Sequence, residues 1–215
     1  TGTITDDGSN GGTDDRPTVS TISSTEVAEG ETATFDVTLS NASTTATTVS
    51  MTLAGDSATA GTDFTNTSVT ITYADGTTAT VGVNVDGTFE VAVPADDTTF
   101  SVSVATTEDA AYEGDETFTV SGQTATQASA VTGTGTITDD GSNGGTDDRP
   151  TVSTISSTEV AEGETATFDV TLSNASTTAT TVSMTLAGDS ATAGTDFTNT
   201  SVTITYADGT TATVG

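Results

Sequence analysis

Acidic residues recur in four short segments, and carboxylates are the side chains of this sequence best suited to chemistry. The segments are residues 28–31 (AEGE), 60–64 (AGTDF), 108–116 (EDAAYEGDE) and 139–141 (DDG). Hard divalent cations such as Ca²⁺ take six to eight oxygen ligands, usually carboxylates and carbonyls, although none of these segments has EF-hand spacing. Several such loops at one end of a domain would repel one another without a cation. From spacing alone, the pattern fits equally a Ca²⁺ site and a set of solvated loops that keep the protein soluble.

The charge balance excludes several kinds of partner and of chemistry. The chain has 31 Asp and Glu, a formal net charge of −29, and only Arg16 and Arg149 as basic residues. Such a field repels phosphates and anionic lipids, so we expect no nucleic acid partner and no direct membrane insertion. Without His, Lys or Cys, the remaining catalytic option is a carboxylate pair of glycosidase type. Chance supplies such pairs at this acid content, so we expect no enzymatic activity.

The sequence contains a perfect internal repeat. Residues 134–215 are identical to residues 1–82, which gives a period of 133 residues. A unit of that length can bury a core of its own, so the repeat predicts independent domains in a row. We predict that residues 1–15 are the last strand and linker of a preceding repeat. Residues 16–148 form a complete repeat with its linker, and residues 149–215 form the first half of the next one.

The elements that must position the acids are predicted to be β-strands. Apolar residues alternate with Thr and Ser in about nine short runs per period, which is typical of an antiparallel β-sandwich. Asp86-Gly87 between two such runs predicts a two-residue hairpin. Phe64 and Phe118, each beside an acidic motif, are predicted to belong to the core. The Gly-rich linker at residues 139–150 marks the domain boundary, and Arg16 is expected to pair weakly with its Asp residues.

The order of the motifs resembles that of Calx-β domains: AEGE, AGTDF, EDAAYEGDETF and GTGTITDDG. With the added segment TATVGVNVDGTFEVAVPADDTTFSVSV, the period resembles more closely the immunoglobulin-like extender repeats of giant bacterial RTX-type (type I secreted) surface adhesins. The resemblance covers the whole period. It implies an all-β chain of tandem Ig-like, Calx-β-like antiparallel sandwiches in a linear array, with Ca²⁺ at domain ends and junctions.

The resemblance also implies a set of metal ligands by position. In the complete repeat these are Glu29, Asp63, Glu108, Asp109, Glu113, Asp139 and Asp140; copies are Glu162 and Asp196 in the next repeat, and Asp6 and Asp7 in the preceding one. The Calx-β run of three Asp is here Glu108-Asp109-Ala110, so one ligand is lost and the number of ions stays open. Asp147 and Asp148 are expected to solvate the linker, with ligation of a junction ion as the alternative.

Three functions follow as hypotheses. The resemblance implies a calcium-stiffened spacer on the bacterial cell surface, whose partners are adjacent identical repeats and whose terminal ligand lies outside this sequence. A self-assembling surface filament is the second possibility, although the net charge opposes lateral packing without bridging ions. A module that binds glycan or ice through threonine rows such as residues 78–80 is the third, but Thr is common on strand surfaces.

Overall fold

The structure is a computed structural model that describes residues 2–5 and 7–215. The chain divides into two compact units. Unit 1 comprises Thr1–Pro150 together with Asn174–Thr178, and unit 2 comprises Thr151–Ser173 with Ala179–Gly215. In the described part of the chain, no helix is both long and apolar enough to cross a membrane.

Unit 1 is a β-sandwich of two five-stranded sheets, which confirms the predicted all-β fold. One sheet has the order β1-β3-β8-β5-β6 and the other β2-β11-β10-β4-β7. Pairing within both sheets is antiparallel except for β2 and β11, which run parallel. The strands are β1 (Val19–Ile22), β2 (Thr25–Ala28), β3 (Thr32–Leu39), β4 (Thr47–Gly55), β5 (Ser68–Tyr73), β6 (Thr78–Gly82), β7 (Thr88–Val93), β8 (Thr99–Ala105), β9 (Ala111–Tyr112), β10 (Glu116–Thr124) and β11 (Val131–Thr138).

The core lies between the two sheets and is built from the alternating apolar residues. At its centre Phe118 stacks on Phe64 with ring centroids 4.6 Å apart, and it meets Phe35 edge-on at 5.6 Å. All three rings are fully buried, so the predicted core role of Phe64 and Phe118 is confirmed. A Cβ at Gly135 would lie 2.7 Å from the Phe118 ring, so a glycine is required there.

The predicted hairpin at Asp86-Gly87 is wrong. β6 ends at Gly82, and β7 pairs with β4 in the other sheet rather than with β6. Among these turn residues only Gly87 adopts a positive φ, of 82°, whereas the predicted turn type requires two. The segment is therefore a connection between the two sheets, and its Val85 is fully exposed.

The linker after β11 folds into a small loop. Asp140 and Asp147 form an antiparallel bridge around a short 3₁₀ turn at Ser142–Gly144. The first copy of the linker closes in the same way, with a bridge between Asp7 and Asp14. The same loop therefore forms twice from the same local sequence.

Unit 2 has short strands and an exposed apolar face. The strands of unit 2 are β12 (Val152–Ile155), β13 (Val170–Leu172), β15 (Val202–Thr205) and β16 (Thr211–Val214). The short β14 (Ala175–Ser176) belongs to unit 1, where it pairs with β9. β12 pairs with β13 in the register that β1 and β3 use. Phe168 is 51% exposed, whereas its copy Phe35 is fully buried. In unit 1 the Phe118 ring on β10 and the backbone of Gly135 on β11 lie against Phe35.

Candidate metal centre

Acidic side chains of unit 1 meet in three overlapping groups. In each group, one carboxylate oxygen from every residue lies within 4.8 Å of those from the others. Glu29 belongs to two groups, and Glu113 joins the second group to the third. The groups are Glu29, Asp139 and Asp148; Glu29, Asp109 and Glu113; and Asp63, Glu113 and Glu116.

The parallel pairing of β2 with β11 places Glu29 beside Asp139. Each residue follows the last residue of its strand, and the Glu29 N–H donates to the Thr138 carbonyl at 3.0 Å. The linker loop then returns Asp148 to the same place. The side chains are almost fully buried, at 9% exposure for Glu29, 3% for Asp139 and 5% for Asp148.

One oxygen of each of these three carboxylates is buried and has no hydrogen-bond partner: Glu29 Oε2, Asp139 Oδ1 and Asp148 Oδ2. Other oxygens of the group are held in place. The Glu113 N–H donates to Asp139 Oδ2 at 2.7 Å, and Asn174 Nδ2 donates to Asp148 Oδ1 at 2.7 Å. Burying an unpaired carboxylate oxygen is costly, so three such atoms in one group fit an oxygen-seeking cation.

Loops position the remaining acids. The Asp63 side chain accepts the Thr59 N–H, and its own carbonyl accepts the Thr107 N–H at 2.9 Å. In the acidic segment at residues 108–116, Asp109 Oδ1 accepts the Ala111 N–H at 2.7 Å. All donor atoms in the three groups are carboxylate oxygens, which is the ligand set of a hard cation such as Ca²⁺ rather than of a softer metal.

The sequence matches the model of a known protein family. The Calx-beta domain family model matches residues 13–89, 85–140 and 146–214. The chain belongs to the Calx-beta domain family.

Several solved structures are similar to this Calx-beta chain. The apo-form Calx CBD1 domain is 16% identical, with a TM-score of 0.39 over 56% of this chain and 95% of that one. The calcium binding domain CBD12 of CALX1.1 is 17% identical, with a TM-score of 0.40, and the match spans 57% of this chain but only 44% of that one. CaCohA2 from Clostridium acetobutylicum is 18% identical, with a TM-score of 0.37 over 58% and 90% of the two chains. No curated protein matches the sequence.

Burial and mutual repulsion raise the pKa values of four acids in this Calx-beta unit: Glu29, Glu113, Glu116 and Asp139. Burial, followed by the charge of Asp139, raises the pKa of Glu29 to about 8. Burial, followed by a hydrogen bond with Asp63, raises the pKa of Glu116 to about 7. The pKa values of Glu113 and Asp139 are also raised, with burial as the largest cause. Burial and repulsion therefore disfavour the charged forms of these carboxylates, whereas a bound cation would favour them.

The chain's own cations are engaged elsewhere. Arg16 pairs with Asp14 and Arg149 with Asp147, each at 2.7 Å and on the exposed surface of the linker loops. The expected pairing of Arg16 with a linker Asp is confirmed, and an exposed pair of this kind contributes little to stability. Both guanidinium groups therefore pair with linker carboxylates that lie outside the three groups.

The structure brings together five of the predicted ligands: Glu29, Asp63, Asp109, Glu113 and Asp139. The other predicted residues lie outside these groups. Glu108 is exposed, Asp140 Oδ1 accepts the Ser142 N–H at 2.9 Å, and Asp7 accepts the Ser9 N–H at 3.1 Å. Glu162 and Asp196 are exposed in unit 2. Asp6 lies outside the described residues.

Two members of the groups were not among the predicted ligands: Glu116 was not named, and Asp148 was named only in the alternative of a junction ion. Glu116 stands three residues after Glu113, and this spacing within one acidic loop was the available signal. Asp148 was expected to solvate the linker, and that expectation is wrong because the side chain is buried beside Glu29 and Asp139. The sequence carries no spacing signal for Asp148, because only the fold of the linker loop returns it to the domain.

The raised pKa values predict how the ion-free protein responds to pH. The folded-state pKa of Glu29, about 8, exceeds its ordinary value of 4.5. Its contribution to stability is therefore fully present below about pH 4.5 and is lost as the pH rises through about 8. In the presence of chelator, we expect the melting temperature to fall between about pH 5 and about pH 9. Saturating Ca²⁺ should flatten this slope because the ion binds the deprotonated form. A melting temperature that rises with pH in chelator would contradict the prediction.

Proposed function

We propose that the complete Calx-beta repeat binds Ca²⁺ through the three carboxylate groups of unit 1. The observation that carries the proposal is the set of three buried, unpartnered oxygens on Glu29, Asp139 and Asp148. Glu29 and Asp139 are held by strand ends, whereas Asp148 comes from the linker. The chemistry of the bound ion is electrostatic: it neutralises carboxylates that repel one another.

Ca²⁺ suits these groups better than Mg²⁺. Ca²⁺ accepts six to eight oxygens in flexible geometry, whereas Mg²⁺ demands a near-ideal octahedron and gives up its water reluctantly. The three groups share Glu29 and Glu113, so neighbouring ions would share ligands. Extracellular calcium modules bind at about 10⁻⁴ to 10⁻³ M, and we propose that this protein works in that range.

The role that we propose is a spacer in an extracellular adhesin on a bacterial surface. The exact repeat of 82 residues at a period of 133 residues supports serial use of one domain. The linker ligand Asp148 supports a mechanical role, because an ion bound through it ties the linker to the domain before it. Adjacent identical repeats are then the immediate partners, and the module that binds the adhesin's target lies elsewhere in the parent protein. No catalytic role is proposed.

Thermal unfolding tests the calcium proposal. A ligand that binds only the folded state stabilises it by about 2 kcal/mol at roughly fifty times its dissociation constant. We expect about 5 mM Ca²⁺ to raise the melting temperature well above that in chelator. Matched Mg²⁺ and NaCl samples control for simple charge screening. Equal melting in all conditions would mean that the acids only keep the protein soluble.

The molecular mass of the particle in solution distinguishes the spacer from the filament alternative. The spacer proposal predicts that the chain stays monomeric in Ca²⁺. It also predicts that small-angle scattering gives a greater maximum dimension and a narrower range of conformations in Ca²⁺ than in chelator. Calcium-dependent growth in mass would favour a filament in which ions bridge acidic surfaces.

A further inference from the structure

The linker loop that carries Asp148 is docked on unit 1 rather than free. Asn143 Nδ2 donates to Glu26 Oε1 at 3.0 Å and to Thr138 Oγ1 at 3.2 Å. Glu26 lies on β2 and Thr138 ends β11. These are the strands that place Glu29 and Asp139, so one amide reaches both strands that support the metal centre.

Gly145 makes the second contact of the docked loop. A Cβ built at this position would lie 2.5 Å from the Cβ of Ala28. Ala28 is 1% exposed and directly precedes Glu29. A side chain at residue 145 would therefore push the loop away from β2. Gly145 lies three residues before Asp148, so such a shift would move the ligand.

The first copy of the linker shows which features of the loop arise without docking on a domain. Asn10 has a φ of 56° and Asn143 a φ of 55°, so both amides stand on the same strained backbone. Asn10 Nδ2 donates to its neighbour Ser9 at 3.4 Å, and a Cβ at Gly12 would lie 3.6 Å from the Ser9 carbonyl. Asp15, the copy of Asp148, is exposed. The loop shape is thus local, whereas burial of the acid accompanies docking.

We propose that Asn143 and Gly145 are positioning residues that hold the linker loop on β2 and thereby bring Asp148 into the metal centre. This inference rests on the proposed calcium function. Linkage then runs in both directions: docking of the loop raises the affinity for Ca²⁺, and Ca²⁺ favours the docked loop by the same free energy. Calcium would act on the linker through these contacts as well as through the acids.

Calcium titration calorimetry on the whole 215-residue chain tests the inference. Changing residues that orient metal ligands typically lowers metal affinity 10- to 100-fold, and we expect a loss of about that size from Asn143→Ala. The matched control Asn10→Ala carries the same change at the same φ and should bind as the unmodified chain does. Gly145→Ala with its control Gly12→Ala repeats the comparison through the other contact.

A double-mutant cycle shows whether Asn143 acts through Asp148. In a chain that already carries Asp148→Asn, we expect the added Asn143→Ala to change affinity by less than about threefold, because the ligand it positions is gone. A full additional loss would overturn the positioning role, as would equal affinities for Asn143→Ala and Asn10→Ala. Absence of calcium binding by the unmodified chain would instead overturn the proposed function itself.

A purely structural effect has a different signature. If the contacts of Asn143 only support the fold, Asn143→Ala should lower the melting temperature by the same amount in chelator and in Ca²⁺, and this result would overturn the positioning role. Exchange protection of linker amides should increase with Ca²⁺ in residues 140–148, and Asn143→Ala should abolish that increase. Exchange protection of the amides in residues 140–148 that does not change with Ca²⁺ would also overturn the inference.

Discussion

Replacing Glu29 with glutamine is expected to weaken calcium binding sharply and to stabilise the ion-free protein at alkaline pH. Loss of residues that merely orient ligands costs 10- to 100-fold in metal affinity, so loss of a shared ligand should cost at least about as much. The opposite effect in chelator follows from burial, which raises the pKa of Glu29 to about 8. Above that pH the native residue is a buried charge, whereas glutamine is neutral.

The repeat supplies a matched control for this change. Glu162 has the same sequence neighbours as Glu29 but is exposed in unit 2. Glu162→Gln should therefore leave both calcium affinity and stability in chelator within experimental error. Calorimetry at neutral pH and melting at about pH 9 in chelator measure the two effects. A stability change of the same sign with and without Ca²⁺ would argue against Glu29 as a ligand.

Replacing Phe35 with alanine is expected to give a large loss of stability. The ring is fully buried and packs edge-on against Phe118, which in turn stacks on Phe64. Buried Phe-to-Ala changes cost about 3–5 kcal/mol, because apolar contacts are lost and a cavity remains. Urea unfolding followed by circular dichroism should show a lower midpoint for the main transition.

Phe168 is the control for the core, since it is the copy of Phe35 and is 51% exposed. Phe168→Ala should change the free energy of that main transition by less than about 0.5 kcal/mol, as is usual for substitutions outside a core. Comparable losses from the two changes would mean that the second copy folds around its own core in solution.

The fold class could be predicted because the alternation of apolar and polar residues is a local property. The apolar faces of β3, β4, β5, β7, β8 and β10 are those that the pattern indicates. The hairpin at Asp86-Gly87 could not be predicted correctly, because a turn signal does not say whether the chain returns to the same sheet or crosses to the other. β7 pairs with β4, and this choice depends on distant residues.

Identical sequences in two surroundings separate local from tertiary effects. The linker closes through the same Asp-Asp bridge in both copies, so its shape follows from Gly and Asn residues that accept positive φ. Residues 25–28 form β2 against β11, whereas residues 158–161 have the same sequence and form no strand. Local sequence therefore determines the turns, while strand β2 requires its partner.

The candidate metal centre likewise has features that depend on local sequence and features that depend on tertiary structure. The sequence by itself determined the acids, their loop positions and the alternation that builds a sandwich, because these depend on neighbours along the chain. Only the tertiary structure decided that Glu29 and Asp148 are buried while Glu162 and Asp15 are exposed. The physical reason is that burial and repulsion arise between segments more than a hundred residues apart, and these meet only when β2, β11 and the docked linker come together.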